Sequence, residues 1–419
     1  GTSTAAVAKK SAPSSESRTR ISGFFQNELA YAYKNPDHWS KMRNTLDLSA
    51  DGRISQGISW KVGGRVVYDP VYDLTSFYGD PVKDDQRLEA AIRETYLDIS
   101  RGEWDFRVGR QHIIWGEMVG LFFADVASAK DLRELALPDF DMLRIPQWAG
   151  RAEYFHGNFH AEAVWIPYMT YDNIGVPGSE FYPFNPSPAA GFQTVIAGED
   201  RPRDLSDSAY GIRLSHIWSG WDVAGFYYST NDGSPAFSRQ ISLSPAVITY
   251  TPVHERIHQW GLTLGKDLRP MVLKAEAVYT KDRLFSVTRL SDSDGLVSQN
   301  FLDYIVGLEW SFPEETRVNA QFFQRWFPDH DPDIFPKKTE SGVSFLFSTK
   351  ALHPKVETEL LWVKSLNRDD WLAQFKITWK AGGKLRLAAG ADVFHGPPAG
   401  LFGQFGEKDR VYTEIRYSF

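Results

Sequence analysis

Arg410-Val-Tyr-Thr-Glu-Ile-Arg-Tyr-Ser-Phe419 alternates without a break. Val411, Thr413, Ile415, Tyr417 and Phe419 fall on one face of an extended chain; Tyr412, Glu414, Arg416 and Ser418 fall on the other, because successive strand side chains point to opposite sides. Moving inward from this stretch, the same period of two returns. Lys384–Val393 sets Leu385, Leu387, Ala389, Ala391 and Val393 against Arg386, Gly390 and Asp392. Arg317–Trp326 sets Val318, Ala320, Phe322 and Trp326 against Asn319, Gln321 and Arg325. Phe301–Phe312 sets Leu302, Tyr304, Val306, Leu308 and Trp310 against Asp303, Gly307 and Glu309. Near the other end, Ile58, Trp60, Val62, Val66 and Tyr68 oppose Ser59, Lys61, Gly63 and Arg65. Charge keeps to one face and greasy side chains to the other.

The pattern predicts about eighteen strands between residue 19 and residue 419. Their connections alternate in length. Short ones include Asp51-Gly52-Arg53, Ser100-Arg101-Gly102, His156-Gly157-Asn158, Ser219-Gly220 and Pro313-Glu314-Glu315. Long ones, rich in Pro, Asp and aromatics, cover 70–87, 115–144, 168–207, 231–253 and 282–299. The fold class this implies is all-β: a transmembrane antiparallel β-barrel with short periplasmic turns and long extracellular loops. A sheet spans hydrocarbon only if it closes, since every backbone group must be paired there. A soluble propeller or sandwich is the competing reading. Three features oppose it: charges of both signs on the polar face, large aromatics such as Trp104, Trp218, Trp326 and Trp379 near strand ends, and the lack of a blade-like repeat. The terminal strand ending in Phe419 also resembles the last strand of bacterial outer-membrane barrels.

Composition narrows the functional classes. The 419-residue chain has 42% hydrophobic residues, 14% aromatics and a net charge of −7, which disfavours a nucleic-acid partner. It has no cysteine, so disulfides, thiolate metal sites and cysteine nucleophiles are excluded together. Residues 1–18 are small, polar and aperiodic, and read as a disordered segment at the start of a mature chain with its signal peptide removed.

Arg107-Val-Gly-Arg-Gln-His-Ile-Ile-Trp-Gly-Glu117, followed by Ala124-Asp-Val-Ala-Ser-Ala-Lys-Asp-Leu-Arg-Glu134, Leu137-Pro138 and Arg144-Ile-Pro146, resembles a family of Gram-negative outer-membrane barrels of unknown function. That family is similar in appearance to alginate-export-type and other substrate-selective porins. The resemblance implies an outer-membrane channel, often encoded beside transport machinery for hydrophobic or unusual compounds. It implies no particular substrate.

Segment 115–144 is the first candidate for function. Ser128 and Asp131 suit a capping box for a short helix through Ala136, stopped by Pro138. A loop this long can fold inward and constrict a pore; Glu117, Asp125, Lys130, Asp131, Arg133, Glu134 and Arg144 are its charged candidates, and Arg110, on the strand before it, is expected at the same constriction. The bland reading pins these charges to the wall by salt bridges. Alternation places Lys61, Arg65, Arg93, Arg107, Arg151, Arg213, Arg325, Arg386, Arg416, Glu153 and Glu309 on the lumen wall. Glu28, Glu162, Glu276, Asp303, Glu359 and Glu414 join them, and the acidic excess favours mild cation preference. Segment 168–207, with Phe181-Tyr-Pro-Phe-Asn-Pro-Ser-Pro188, either lids the mouth or stacks on a ligand ring, or else packs on neighbouring loops.

Two motifs are traps. His254-Glu-Arg-Ile-His258 matches a zinc-protease pattern, but that chemistry needs a helix; on a strand the two histidines lie about 13 Å apart. Asp329, Asp331 and Asp333 could take calcium in an outer loop, but lack the glycine and distal glutamate of an EF-hand; a solvated acidic loop is the default. No cofactor fingerprint is present. The expected partners are outer-membrane lipid and lipopolysaccharide, a small solute, and a periplasmic transport component if the barrel works in a complex. The preferred function is a porin-like diffusion channel in the bacterial outer membrane, not an enzyme. An export conduit for a polymer or lipid is the first alternative, and an outer-membrane hydrolase the second.

Overall fold

The computed structural model describes residues 19–116, 118, 124–135, 137–186 and 189–419. The alternating segments form one antiparallel sheet that closes on itself. Each strand pairs with its neighbours in sequence, from Arg20–Ala32 beside His38–Ser55 to Leu385–His395 beside Arg410–Ser418. Closure comes from pairing Phe24–Ala32 with Arg410–Ser418. Its nineteen assigned strands make eighteen staves, because Leu88–Ile92 and Thr95–Arg101 form one stave broken at Arg93 and Glu94.

The sides of the sheet invert the rule for a water-soluble core. Leu262 and Val108 are 61% exposed and Trp218 is 69% exposed, on the outer face. Lys41, Gln26 and Asp392 are 6%, 3% and 1% exposed, on the inner one. Rows of exposed aliphatics on stave after stave are incompatible with water but suit hydrocarbon. Outward-facing rings gather in two belts. Trp104, Trp218, Phe312, Trp379 and Tyr417 lie towards the short turns; Trp39, Tyr68, Trp148, Trp165 and Trp326 lie towards the long loops. Such rings place an apolar body in lipid and a polar edge at the headgroups.

Three local expectations are corrected. The first short turn is not Asp51-Gly52-Arg53: the strand runs on to Ser55, and the chain reverses at Gln56-Gly57. Gly57 has φ +79°, which a side chain disfavours, whereas Gly52 is ordinary strand under the Trp60 ring. The helix expected from Ser128 does not form over its described residues. Ala129–Lys130 pairs instead with Arg144–Ile145, and a one-turn helix lies later, at Phe140–Leu143. Ser128 Oγ lies 2.7 Å from both Ile113 O and Asp125 Oδ1, donating its single proton to one of them, instead of capping. Finally, 231–253 is not all loop. Ala236–Leu243 and Ala246–Val253 form a hairpin, and Gln193–Ile196 adds to it in parallel.

Candidate functional site

The site is built around the long connection between Trp104–Gln111 and Gln147–His156. Its first residues turn back into the barrel on apolar contacts. Ile113 and Trp115, each 1% exposed, pack with Ala124, Ala127, Val164, Ile166, Phe226 and Tyr228. The segment is next held from the far wall. The Glu276 carboxylate, on Met271–Ser286, accepts the backbone N–H of Met118 and of Ala124, each at 3.1 Å. Arg144 pairs with Asp125 at 2.9 Å, and Lys130 Nζ donates to the carbonyls of Asp125 and Ser128.

A second set of ion pairs ties the same segment to the staves near the barrel closure. Arg133 bonds Asp131 and reaches Glu89 at 2.7 Å. Glu134 meets Lys41 at 2.5 Å, Arg410 at 3.0 Å and Arg43. Lys41 also pairs with Glu28, and Arg410 with Asp392 at 2.8 Å. Further on, Asp139 takes Lys376 at 3.0 Å and Arg386 at 3.2 Å. Anchors on such widely separated staves require the segment to cross the interior.

The segment leaves open a cavity of about 800 Å³ against the wall that runs from Trp221–Asn231 to Trp371–Ala381. Leu135 and Leu137 border it from the segment; Ile257, Val278, Leu361, Val363 and Leu372 border it from the wall. Charges interrupt this surface in two places. Towards the mouth are Arg283 with Asp232 at 2.7 Å and Arg325 with Asp303 at 2.7 Å, the Arg325 guanidinium lying 4.2 Å from the Phe301 ring. Deeper are Asp139, Lys376 and Glu359.

The charged residues expected on segment 115–144 thus separate. Asp125 and Lys130 border the cavity, Glu134 lines a much smaller space of about 50 Å³ beside Arg43 and Arg410, and Asp131 and Arg133 bond each other. Arg110 donates to Pro146 O at 3.0 Å, and Arg93 donates to Arg144 O at 2.9 Å. Glu117 lies outside the described residues. Of the expected wall residues, Arg325 borders the cavity. Others are taken up in pairs along the wall: Lys61 with Glu94, Arg65 with Asp47, Arg107 with Asp98, Arg151 with Glu153 and Arg386 with Glu414. Arg416 lies 3.6 Å from the Phe24 ring, while Arg213 and Glu309 stand opposite Glu162 and Asn319. Sequence reading missed Asp139, although Leu137-Pro138 just before it was already singled out, and it missed Asp232 and Arg283, whose loop-end positions carry no periodicity.

Segment 168–207 also reaches across the mouth. Phe181 packs with Phe394 and Phe405, and Glu180 takes His38 and Lys408. Phe184 stacks on Phe237 at 3.8 Å. The rings of Phe181 and Phe184 are therefore occupied by other protein rings; Ser187 and Pro188 lie outside the described residues. His254 holds Glu199 and the Asp232 carbonyl, while His258 faces Tyr227, so the two histidines share no partner. Asp331 receives Arg289 at 2.7 Å, and Asp333 accepts from Thr288 and the Arg289 backbone. The Arg289 guanidinium brings the Asp331 carboxyl down to about 2.

A closed stave count of eighteen, a lipid-facing belt and an inward segment between strands are the architecture of outer-membrane porins. A family model described as "Protein of unknown function (DUF1302)" matches residues 3–419. The chain belongs to the DUF1302 family. No curated protein is significantly similar to it. Among solved structures, OccK8 (OprE) of Pseudomonas aeruginosa is similar in fold, with TM-score 0.56 and 9% identity over 96% of this chain and 98% of that one. OpdK of Pseudomonas aeruginosa, solved with vanillate, gives TM-score 0.55 and 8% identity over the same shares. At such identities the likeness is one of fold. This DUF1302 chain is a porin-like β-barrel of the outer-membrane type.

Proposed function

We propose that this barrel is a diffusion channel of the Gram-negative outer membrane for small amphipathic solutes, with segment 115–144 as its selective constriction. The observation that carries the reading is the two-part lining of the 800 Å³ cavity. Leu361, Val363, Leu372, Leu135 and Leu137 give an apolar surface, while Arg325 with Asp303 and Lys376 with Asp139 mark its two ends with charge. A solute with a greasy body sheds water against the first and keeps a polar group at the second. A purely hydrophilic passage has no use for a wall of leucines. The partners of the working protein are then that solute and, on the outer belt, lipid and lipopolysaccharide.

The test is flux into proteoliposomes for solutes of matched size and rising apolarity, such as a series of short carboxylic acids, corrected for protein-free leak. Flux through the barrel is expected to rise along the series. Flux ordered by hydrated size alone would reject the amphipathic-solute reading, and a barrel silent in both flux and planar-bilayer conductance would reject the channel.

A further inference from the structure

Away from the cavity, three inward side chains on two adjacent staves converge. Glu153 lies on Gln147–His156; His160 and Glu162 lie on Phe159–Ile166. Their ligating atoms all fall within 4.8 Å of one another, and His160 Nε2 already stands 3.2 Å from Glu153 Oε1. The register explains the crowding. Glu153 and Glu162 are direct cross-strand partners, and His160 sits two residues before Glu162 on the same face. Two carboxylates placed directly opposite repel each other unless a cation lies between or beside them. Arg151 supplies part of that charge, donating to Glu153 Oε2 at 3.0 Å, and Arg213 is the partner of Glu162 on the next strand.

That compensation is incomplete. Glu162 is 6% exposed, and its buried Oε1 has no hydrogen-bond partner among the described residues. The Trp115 indole N–H faces the same carboxyl group, but does not reach good hydrogen-bond geometry with its buried Oε1. An unpartnered buried carboxylate oxygen is costly, and here it adjoins an imidazole. That imidazole is fixed in orientation. It stacks on Phe155 at 4.4 Å, and its Nδ1 lies 3.4 Å from Ser215 Oγ.

We propose that Glu153, His160 and Glu162 form a divalent-metal site on the lumen wall, best suited to zinc. Zinc takes carboxylate and imidazole donors at about 2.0–2.2 Å, which sets tetrahedral donors about 3.3 Å apart. The observed spread closes to that by small rotamer changes. Three protein ligands leave a fourth position for water or a solute group, the pattern of zinc sites that exchange a ligand. A single imidazole with two carboxylates is too hard a set for copper(I) and too small an oxygen set for calcium. The Ser215 hydroxyl, on the other ring nitrogen, acts as a positioning residue that fixes the ring.

The test is equilibrium dialysis of the full-length, detergent-folded barrel against zinc after chelator treatment, with cobalt absorption as a second readout on the same sample. Wild type is expected to retain one zinc per chain and to show the visible bands of low-symmetry cobalt. H160A should lose both, E162Q should weaken retention at least tenfold, and S215A only a few-fold. Heat-modifiable migration on gels establishes that each variant is folded. Wild type retaining less than stoichiometric zinc, or H160A retaining as much as wild type, would overturn the site. Neither readout depends on whether the barrel conducts.

Discussion

From Ile58–Tyr68 round to Gln147–His156, the inner wall is a ladder of ion pairs: Arg65 with Asp47, Arg107 with Asp98, Arg151 with Glu153. From Arg256–Asp267 to Trp371–Ala381, the inner wall facing the cavity carries Ile257, Val278, Leu346, Leu361, Val363 and Leu372. Both walls obey the same alternation and both face inward, yet they use different chemistry. Segment 112–146 touches both: Arg93 and Arg110 on the first wall hold its Arg144 and Pro146 carbonyls, while Glu276 and Lys376 on the second hold it at Ala124 and Asp139, and the cavity opens between these two anchors. Where the segment excludes water, each inward charge needs a fixed partner, since an unpaired buried charge is expensive. Where the cavity remains, Leu361, Val363 and Leu372 line it in place of paired charges.

The most drastic way to break this contrast is to remove the segment. Replacing 125–139 with a short Gly-Ser linker should raise single-channel conductance severalfold and abolish discrimination between solutes; unchanged conductance in planar bilayers would mean that the segment does not narrow the passage. The next change strikes the anchor. Glu134→Ala leaves Lys41, Arg43 and Arg410 without their shared carboxylate, and should cost about 3–5 kcal/mol. Thermal melting in detergent reads this as a lowered midpoint; an unmoved midpoint would show a hydrated cluster rather than a latch.

The open wall is probed by Leu372→Asp, which puts a charge among Leu361, Val363 and Phe402. Loss of roughly 1–2 kcal/mol of apolar contact should cut flux of greasy-tailed solutes about tenfold, with a smaller change in potassium conductance. Equal losses for both would dissolve the distinction between the walls. The smallest effect lies outside the barrel. Asp331 is held near 2 by Arg289, below the usual value of 3.8. A lowered carboxyl contributes stability in full above its unfolded pKa and loses it as pH falls towards 2. The contact between 287–295 and 327–338 should therefore hold at pH 5 and loosen between pH 4 and 2. Arg289→Ala should raise the Asp331 titration measured by NMR, and a titration left in place would remove Arg289 as its cause.

How much of this was legible in the sequence differs by element. Phe301–Phe312 and Lys384–Val393 announce their faces because a strand's side-chain direction is a local property, repeated every second residue. The first tight turn misled because Asp-Gly at 51–52 carries the usual turn chemistry, while the positive φ falls at Gly57. The helix from Ser128 failed for a related reason. A capping pattern is a local preference worth about 1 kcal/mol, and pairing of Ala129–Lys130 with Arg144–Ile145 outweighs it.

Alternation, together with the short and long connections, thus determined that the chain is a lipid-facing barrel of the outer-membrane type, and which strand side chains point into it. Only the tertiary structure decided that Glu134 would meet Arg410, 276 positions away, and that Asp139 would meet Lys376. Such pairs leave no trace in local periodicity. They exist because barrel closure brings the first and last staves together, and because a segment crossing the lumen must find a counter-charge for each carboxylate it carries out of water.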